Sequence, residues 1–171
     1  MHIRLEGRAR VLGDDVNTDY IITSARKRET IDEQVLTRYL LETLDPGFAA
    51  SVQPGDILVA GRNFGCGSAM EVAVTVPAAA GIRAVLARSF ARTYYRNAIN
   101  NGLVPVECDT SAIREGDRLT VDLDPDKISV RDETQQRTHA ARMLPAHMLR
   151  ILEAGGLVPY IRAHGGFEAT T

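Results

Sequence analysis

An α/β fold, with a mixed, mostly parallel sheet flanked by helices, is predicted by three features of this sequence. Ile57–Ala60, Ala69–Ala80, Ala84–Ala87, Phe90–Asn101 and Leu103–Cys108 read as β-α-β-α-β, an order that implies parallel strands joined by right-handed crossovers. The first of these strands runs into Gly61, Gly65 and Gly67, three glycines in seven positions, which let the backbone turn sharply and approach other groups closely. Later the period switches to two: Leu119–Leu123 and Ile128–Val130, separated by Asp124-Pro125-Asp126, alternate as a hairpin does.

Taken in order, Ile3–Leu12 reads as a first strand, and Gly13–Asp19 as a turn dense in Asx residues. Tyr20-Ile21-Ile22 is a short apolar run, followed by a basic loop, Thr23–Arg28. Thr30-Ile31-Asp32-Glu33 has the form of a cap. It predicts a helix with Val35, Leu36, Tyr39, Leu40 and Leu44 at helical spacing, stopped by Asp45-Pro46-Gly47. Phe48–Val52 is a further helical turn, and Pro54-Gly55-Asp56 leads into the central strand. Ser68 is a natural helix N-cap, with Glu71 three residues on to complete a capping box. Pro77 should kink or restart the helix that follows, and Gly81 closes it. Ser89 caps the next helix, and Gly102 ends it. Ser111–Gly116 reads as a helical turn, Arg137–Arg142 extends the hairpin, and Pro145–Ala154 is the last helix, with Gly155-Gly156 beyond. The 171 residues form a single domain with a flexible tail at 165–171.

Composition excludes several function classes. At 44% apolar the chain can fill one core, and a formal charge of −2 provides no basic field for nucleic acid. No apolar run is long enough to cross a bilayer, and the alternating N-terminus lacks the apolar core of an export signal. Cys66 and Cys108 therefore read as free thiols in a reducing cytoplasm.

The glycine loop supplies the chemistry. A strand, a glycine loop and a helix start together aim backbone N–H groups at one point, which suits an anion, a carboxylate as well as a phosphate. A dinucleotide fingerprint fails in detail, because Gly65-Cys66-Gly67-Ser68-Ala69-Met70 has methionine at the third glycine position and no acidic residue follows the next strand. A phosphate loop would need Gly-Lys-Ser/Thr, which is absent. His2, His139, His147 and His164 are scattered, and no spacing resembles a zinc or iron–sulfur site. Cys66 at a helix start could carry a lowered pKa, though small-residue packing accounts for it as well. Spacing alone leaves Ser68 open between capping and catalysis, and leaves the run of three cations open between a solvated loop and a binding loop.

Several motifs together resemble one family. Gly13-Asp14-Asp15-Val16-Asn17-Thr18-Asp19-Tyr20-Ile21-Ile22 looks like the opening motif of the small subunit of 3-isopropylmalate dehydratase, in the aconitase superfamily. Asp56–Ser68 resembles its glycine loop, Ser89–Leu103 its next signature and Ile151–Leu157 its C-terminal end. The resemblance implies a swivelling β/β/α domain like the mobile fourth domain of aconitase. It also implies a large-subunit partner whose three cysteines hold a [4Fe–4S] cluster, with none on this chain. The open iron binds the substrate hydroxyl as a Lewis acid, and the small subunit closes over it, so that Ser68 takes a proton from carbon. The expected substrate is a hydroxy di- or tricarboxylic acid. Arg26 and Arg28 of the basic loop, and Gly67, Ala69 and Met70 beside the serine, are implied to contact it. Thr18, Asp19, Asn63, Gly65 and Cys66 form the supporting motif, and no residue of this chain binds metal. The sequence departs from the family where Ser-Ser-Arg-Glu-His is usual. Here it reads Ser68-Ala69-Met70-Glu71-Val72, with methionine in place of a two-pronged carboxylate clamp. The expected function is that of a hydro-lyase small subunit, active only with its partner. The alternatives are a binding or regulatory paralogue of the same fold, and true 3-isopropylmalate isomerisation for leucine synthesis.

Overall fold

The computed structural model describes residues 2–166. From residue 167 on, the tail expected to be flexible lies outside them. Seven strands form one sheet: β1 (Ile3–Val11), β2 (Ile57–Val59), β3 (Ala84–Ala87), β4 (Val104–Glu107), β5 (Arg118–Asp124), β6 (Lys127–Asp132) and β7 (Arg137–Ala140), in the order β4-β3-β2-β1-β5-β6-β7. From β1 to β4 the neighbours are parallel, and from β1 through β5 and β6 to β7 they are antiparallel. β1 joins the two halves. Its residues Ile3–Arg8 pair with β5, and Ala9–Val11 pair with β2.

The parallel half is apolar because both its faces are covered. Ile57 and Val59 face one core cluster, and Leu58 the other; along β3, Leu86 and Val85 divide in the same way. The first cluster is closed by the hairpin and by the C-terminal helices, the second by the helices that precede and follow β2.

The helices are α1 (Thr18–Ile21), α2 (Ser24–Glu29), α3 (Glu33–Leu36), α4 (Phe48–Ser51), α5 (Val72–Ala79), α6 (Arg92–Asn100), α7 (Ala146–Glu153) and α8 (Leu157–His164). None among the described residues is long and apolar enough to cross a membrane.

Several local expectations are corrected. The basic loop is a helix, α2, capped by Thr23, whose hydroxyl accepts from the Arg26 N–H at 3.2 Å. The long helix expected from Thr30 breaks after α3 into a 3₁₀ turn at Thr37–Tyr39, and Leu41 turns into the left-handed region (φ 56°). Leu40 and Leu41 are adjacent and both fully buried. A continuous helix would point neighbouring residues about 100° apart, so the chain turns instead, and Leu41 N–H bonds the Ile21 carbonyl at 2.9 Å. Ser111–Gly116 forms two tight turns rather than a helical one. Beyond Gly155-Gly156, which read as a terminus, the chain restarts as α8 and buries Tyr160. Pro77 lies inside α5 without ending it early.

Candidate active site

The C-terminal ends of β1, β2 and β3 bring three loops together, the edge at which α/β sheets present ligand sites. The segments Gly13–Asp19 and Gly61–Met70 continue the β1–β2 pairing beyond the strands. Gly61 N–H bonds the Gly13 carbonyl (3.1 Å), Asp15 N–H the Arg62 carbonyl (2.9 Å), Gly65 N–H the Val16 carbonyl (2.8 Å) and Thr18 N–H the Cys66 carbonyl (2.9 Å). Side chains reinforce the seam. The Asp14 carboxylate accepts from the Arg62 backbone N–H (2.8 Å) and the Arg88 guanidinium (3.0 Å), which hold it below the ordinary carboxylate range. The Asn63 amide donates to Asp15 at 3.0 Å. Gly65 and Gly67 have φ of 80° and 91°. A Cβ at Gly65 would enter the Tyr94 ring, and one at Gly67 the Asn17 amide, so both positions require glycine.

Ser68 does not cap a helix. The helix α5 begins four residues later, with Glu71 in the cap position and no side-chain cap bond. A cap contributes about 1 kcal/mol, whereas burying a methionine contributes roughly 1.5–3 kcal/mol. Met70 is drawn into the core beside α5 at 5% exposure, and the backbone from Gly67 to Met70 stays non-helical. Ser68 is exposed. Its carbonyl is held by the Thr18 hydroxyl at 2.7 Å, and its own hydroxyl has no partner among the described residues. The backbone N–H groups from Gly67 to Glu71 likewise donate to no acceptor among them. A free hydroxyl amid unpaired N–H groups is equipped to bear negative charge on oxygen.

Ser89, expected to cap α6, serves this loop instead. Its hydroxyl accepts from Asn63 N–H at 2.7 Å, and its carbonyl from Phe64 N–H at 3.0 Å, while Ala91 stands at the start of α6 without a side-chain cap bond. This packs α6 against the glycine loop and closes a pocket of about 100 Å³ bounded by Thr18, Ser68, Met70, Arg92, Tyr94 and Asn97. Gly67 and Ala69 also line it, and Cys66 is half-buried behind. Sequence reasoning missed Arg92 and Asn97. Their signal was present in the Ser89–Leu103 signature, as polar residues on the first turns of a helix that enters the loop cluster.

The basic residues separate. Arg26 binds Glu42 with two N–H groups (3.0 and 3.3 Å) and Glu29 with a third (3.3 Å), and stacks over the Tyr39 ring at 3.9 Å. It holds α2 to the body of the fold. Arg28 is exposed and makes no ion pair among the described residues. The Asp19 carboxylate accepts from both the hydroxyl and N–H of Ser24 at 2.7 Å. These bonds, with the Arg28 charge, hold its pKa below the usual range. Cys108 is buried, and desolvation pushes its thiol up to about 12. Cys66 is not at a helix start, since α5 opens six residues later. No three His, Cys, Asp or Glu side chains converge as a metal site among the described residues.

Comparison with known proteins follows the same lines. The family model of the aconitase C-terminal domain matches residues 20–111. The chain is 42% identical to 3-isopropylmalate dehydratase small subunit 2 of Archaeoglobus fulgidus, over 97% of this chain and 99% of that protein. It is equally similar, at 42%, to the methanogen homoaconitase small subunit of Methanocaldococcus jannaschii, over 92% and 91%. A crystal structure of 3-isopropylmalate dehydratase from Methanocaldococcus jannaschii superposes with a TM-score of 0.88 at 41% identity, covering 95% of this chain and 96% of that one. The chain belongs to the aconitase C-terminal domain family, as a hydro-lyase small subunit of the 3-isopropylmalate dehydratase type.

Proposed function

We propose that this chain is the closing half of a two-subunit enzyme that removes water from, and returns it to, a hydroxy di- or tricarboxylic acid, and that Ser68 is its base. The observation that carries this reading is the state of Ser68: its carbonyl is fixed by Thr18 and its hydroxyl has no partner among the described residues. Such a serine can take a proton from the carbon beside a carboxylate only if its oxyanion is stabilised. The unpaired N–H groups of Gly67–Glu71 are the groups at hand to do so. Arg28, on the outer surface of α2, pairs with the distal carboxylate of the substrate, while Arg26 maintains α2. Gly67, Ala69 and Met70 form the wall beside Ser68, with Met70 giving it an apolar patch suited to a hydrocarbon group.

A [4Fe–4S] cluster, which in this superfamily receives the departing hydroxyl, does not fit the residues of this chain. It needs several converging thiolates, and of the two cysteines here one is buried with a raised pKa. The cluster is therefore assigned to a large subunit, onto which the loop face closes. Cys66 and Cys108 are free thiols, which supports a cytoplasmic setting.

The test is anaerobic reconstitution with a cluster-bearing large subunit of the same family, assayed on a panel of hydroxy acids that includes 3-isopropylmalate. Turnover is expected only from the pair, and Ser68→Ala should lower it by orders of magnitude while leaving the unfolding midpoint unchanged, because Ser68 caps nothing. Cluster binding by this chain alone, or wild-type turnover in the Ser68→Ala pair, would overturn the reading.

A further inference from the structure

We infer that Arg92 is a substrate carboxylate ligand, the cation of the pocket in which Ser68 stands; this rests on the hydro-lyase reading above. Among the residues lining that pocket, Arg92 alone carries a charge at neutral pH. Met70, where the family's usual motif has an arginine, is packed into the core and supplies an apolar wall. Arg26 cannot swing in without giving up Glu42, Glu29 and the Tyr39 ring. Arg92 is exposed and makes no hydrogen bond or ion pair among the described residues. It occupies the first position of α6, where the positive end of the helix disfavours a cation. Fold stability therefore gives no reason for an arginine at this place, whereas an anionic ligand does.

The pocket's lining narrows the ligand group: one guanidinium beside hydroxyls and an amide, with no carboxylate among the lining residues, suits a carboxylate. The Ser68 hydroxyl, the Thr93 hydroxyl and the Asn97 amide, none of them paired among the described residues, are the other polar side chains on the pocket wall that such a group can meet. A guanidinium there grips the carboxylate beside the carbon that loses its proton, while Arg28 holds the distal one.

The experiment uses the reconstituted complex, with turnover measured on the hydroxy acid it accepts and with malonate and its monoamide, malonamate, as competing probes. Malonate should bind at least about tenfold more tightly than malonamate to wild type, because the amide loses one of two arginine contacts. In Arg92→Ala that preference should vanish, kcat/KM should fall about 100-fold and the unfolding midpoint should stay put. Arg92→Lys should restore part of both. A wild-type malonate preference in Arg92→Ala, in a complex that Ser68→Ala inactivates, would overturn the role of Arg92 while sparing the functional reading. Turnover surviving in Ser68→Ala would overturn that reading itself, and the malonate ratio would still report on Arg92.

Discussion

The Tyr94 hydroxyl donates to the Ala73 carbonyl at 3.0 Å, and Ala73 stands four residues before Pro77. In an uninterrupted helix that carbonyl would accept the N–H of residue 77, which proline lacks. A buried side chain of α6 thus replaces the missing bond of α5 and ties the two helices together behind the pocket. Burial keeps the phenol protonated by raising its pKa. Tyr94→Phe should destabilise by about 1–3 kcal/mol, the cost of a buried acceptor left unpaired. Pro77→Ala restores the backbone donor, so the loss from Tyr94→Phe should shrink markedly in that background. Urea denaturation of the four members of the cycle checks this, and additive losses would show that the two residues are not coupled.

Thr18 holds the Ser68 carbonyl from a position only 2% exposed. Thr18→Val keeps the shape and removes the donor. Stability should fall by about 1 kcal/mol, and kcat of the reconstituted complex should fall at least about tenfold with little change in KM, since a positioning bond acts on the residue whose oxygen takes the proton. Thr18→Ser retains the hydroxyl and should preserve both quantities. Steady-state kinetics beside a thermal melt separates the two effects.

Arg26 and Arg28 should respond in opposite ways. Arg26→Ala abolishes the Glu42 and Glu29 contacts and the stacking on Tyr39, and should lower the unfolding midpoint. Arg28→Ala should leave the midpoint in place and reduce kcat/KM on a dicarboxylate by roughly 10–100-fold through KM, the worth of one charged hydrogen bond. Equal kinetic losses without a stability difference would contradict the division of roles.

Asp56 gives the fold an acid-sensitive joint. Burial raises its pKa, but the Arg8 guanidinium (2.8 Å), the Gln53 N–H (2.9 Å) and Arg10 (3.3 Å) outweigh burial and hold the carboxyl below the ordinary value. A depressed folded pKa contributes stability that is full above the unfolded value and is lost as pH falls through the folded one. Stability should therefore decline from about pH 4 downward. Asp56→Asn leaves the buried Arg10 with Glu115 as its one carboxylate partner among the described residues, beside the Ser51 hydroxyl and the Phe48 ring, and should cost about 3 kcal/mol at pH 7. The deficit should narrow as pH falls through the folded pKa, where the wild-type carboxyl becomes protonated as well. Chemical denaturation across pH 2–7 checks the sign and the window.

The strands of the parallel half were legible because a strand buried on both faces must be apolar throughout. Ile57–Val59, Ala84–Ala87 and Val104–Glu107 lie within a residue or two of where the apolar runs put them. The restart at Leu157 was not, because Gly-Gly signals an end, whereas here both glycines adopt positive φ and turn the chain back against Asn100–Gly102. Thr23–Arg28 looked like a loop because six residues carry too little periodicity to announce a helix.

By itself, the sequence determined the element order, the parallel direction of the middle strands, the glycine loop and the family to which its motifs belong. Each of these is written in local patterns, such as apolar runs, glycines at turns and the residues of a loop. Only the tertiary structure decided what the polar side chains do. Ser68 and Ser89 both have the form of caps, and neither caps a helix, because a cap contributes about 1 kcal/mol and gives way to the burial of Met70 or to a bond with Asn63. Arg26, Arg28 and Arg92 carry the same group. Glu42 and Tyr39 occupy one of them, while the other two make no ion pair or hydrogen bond among the described residues, a difference set by residues distant along the chain.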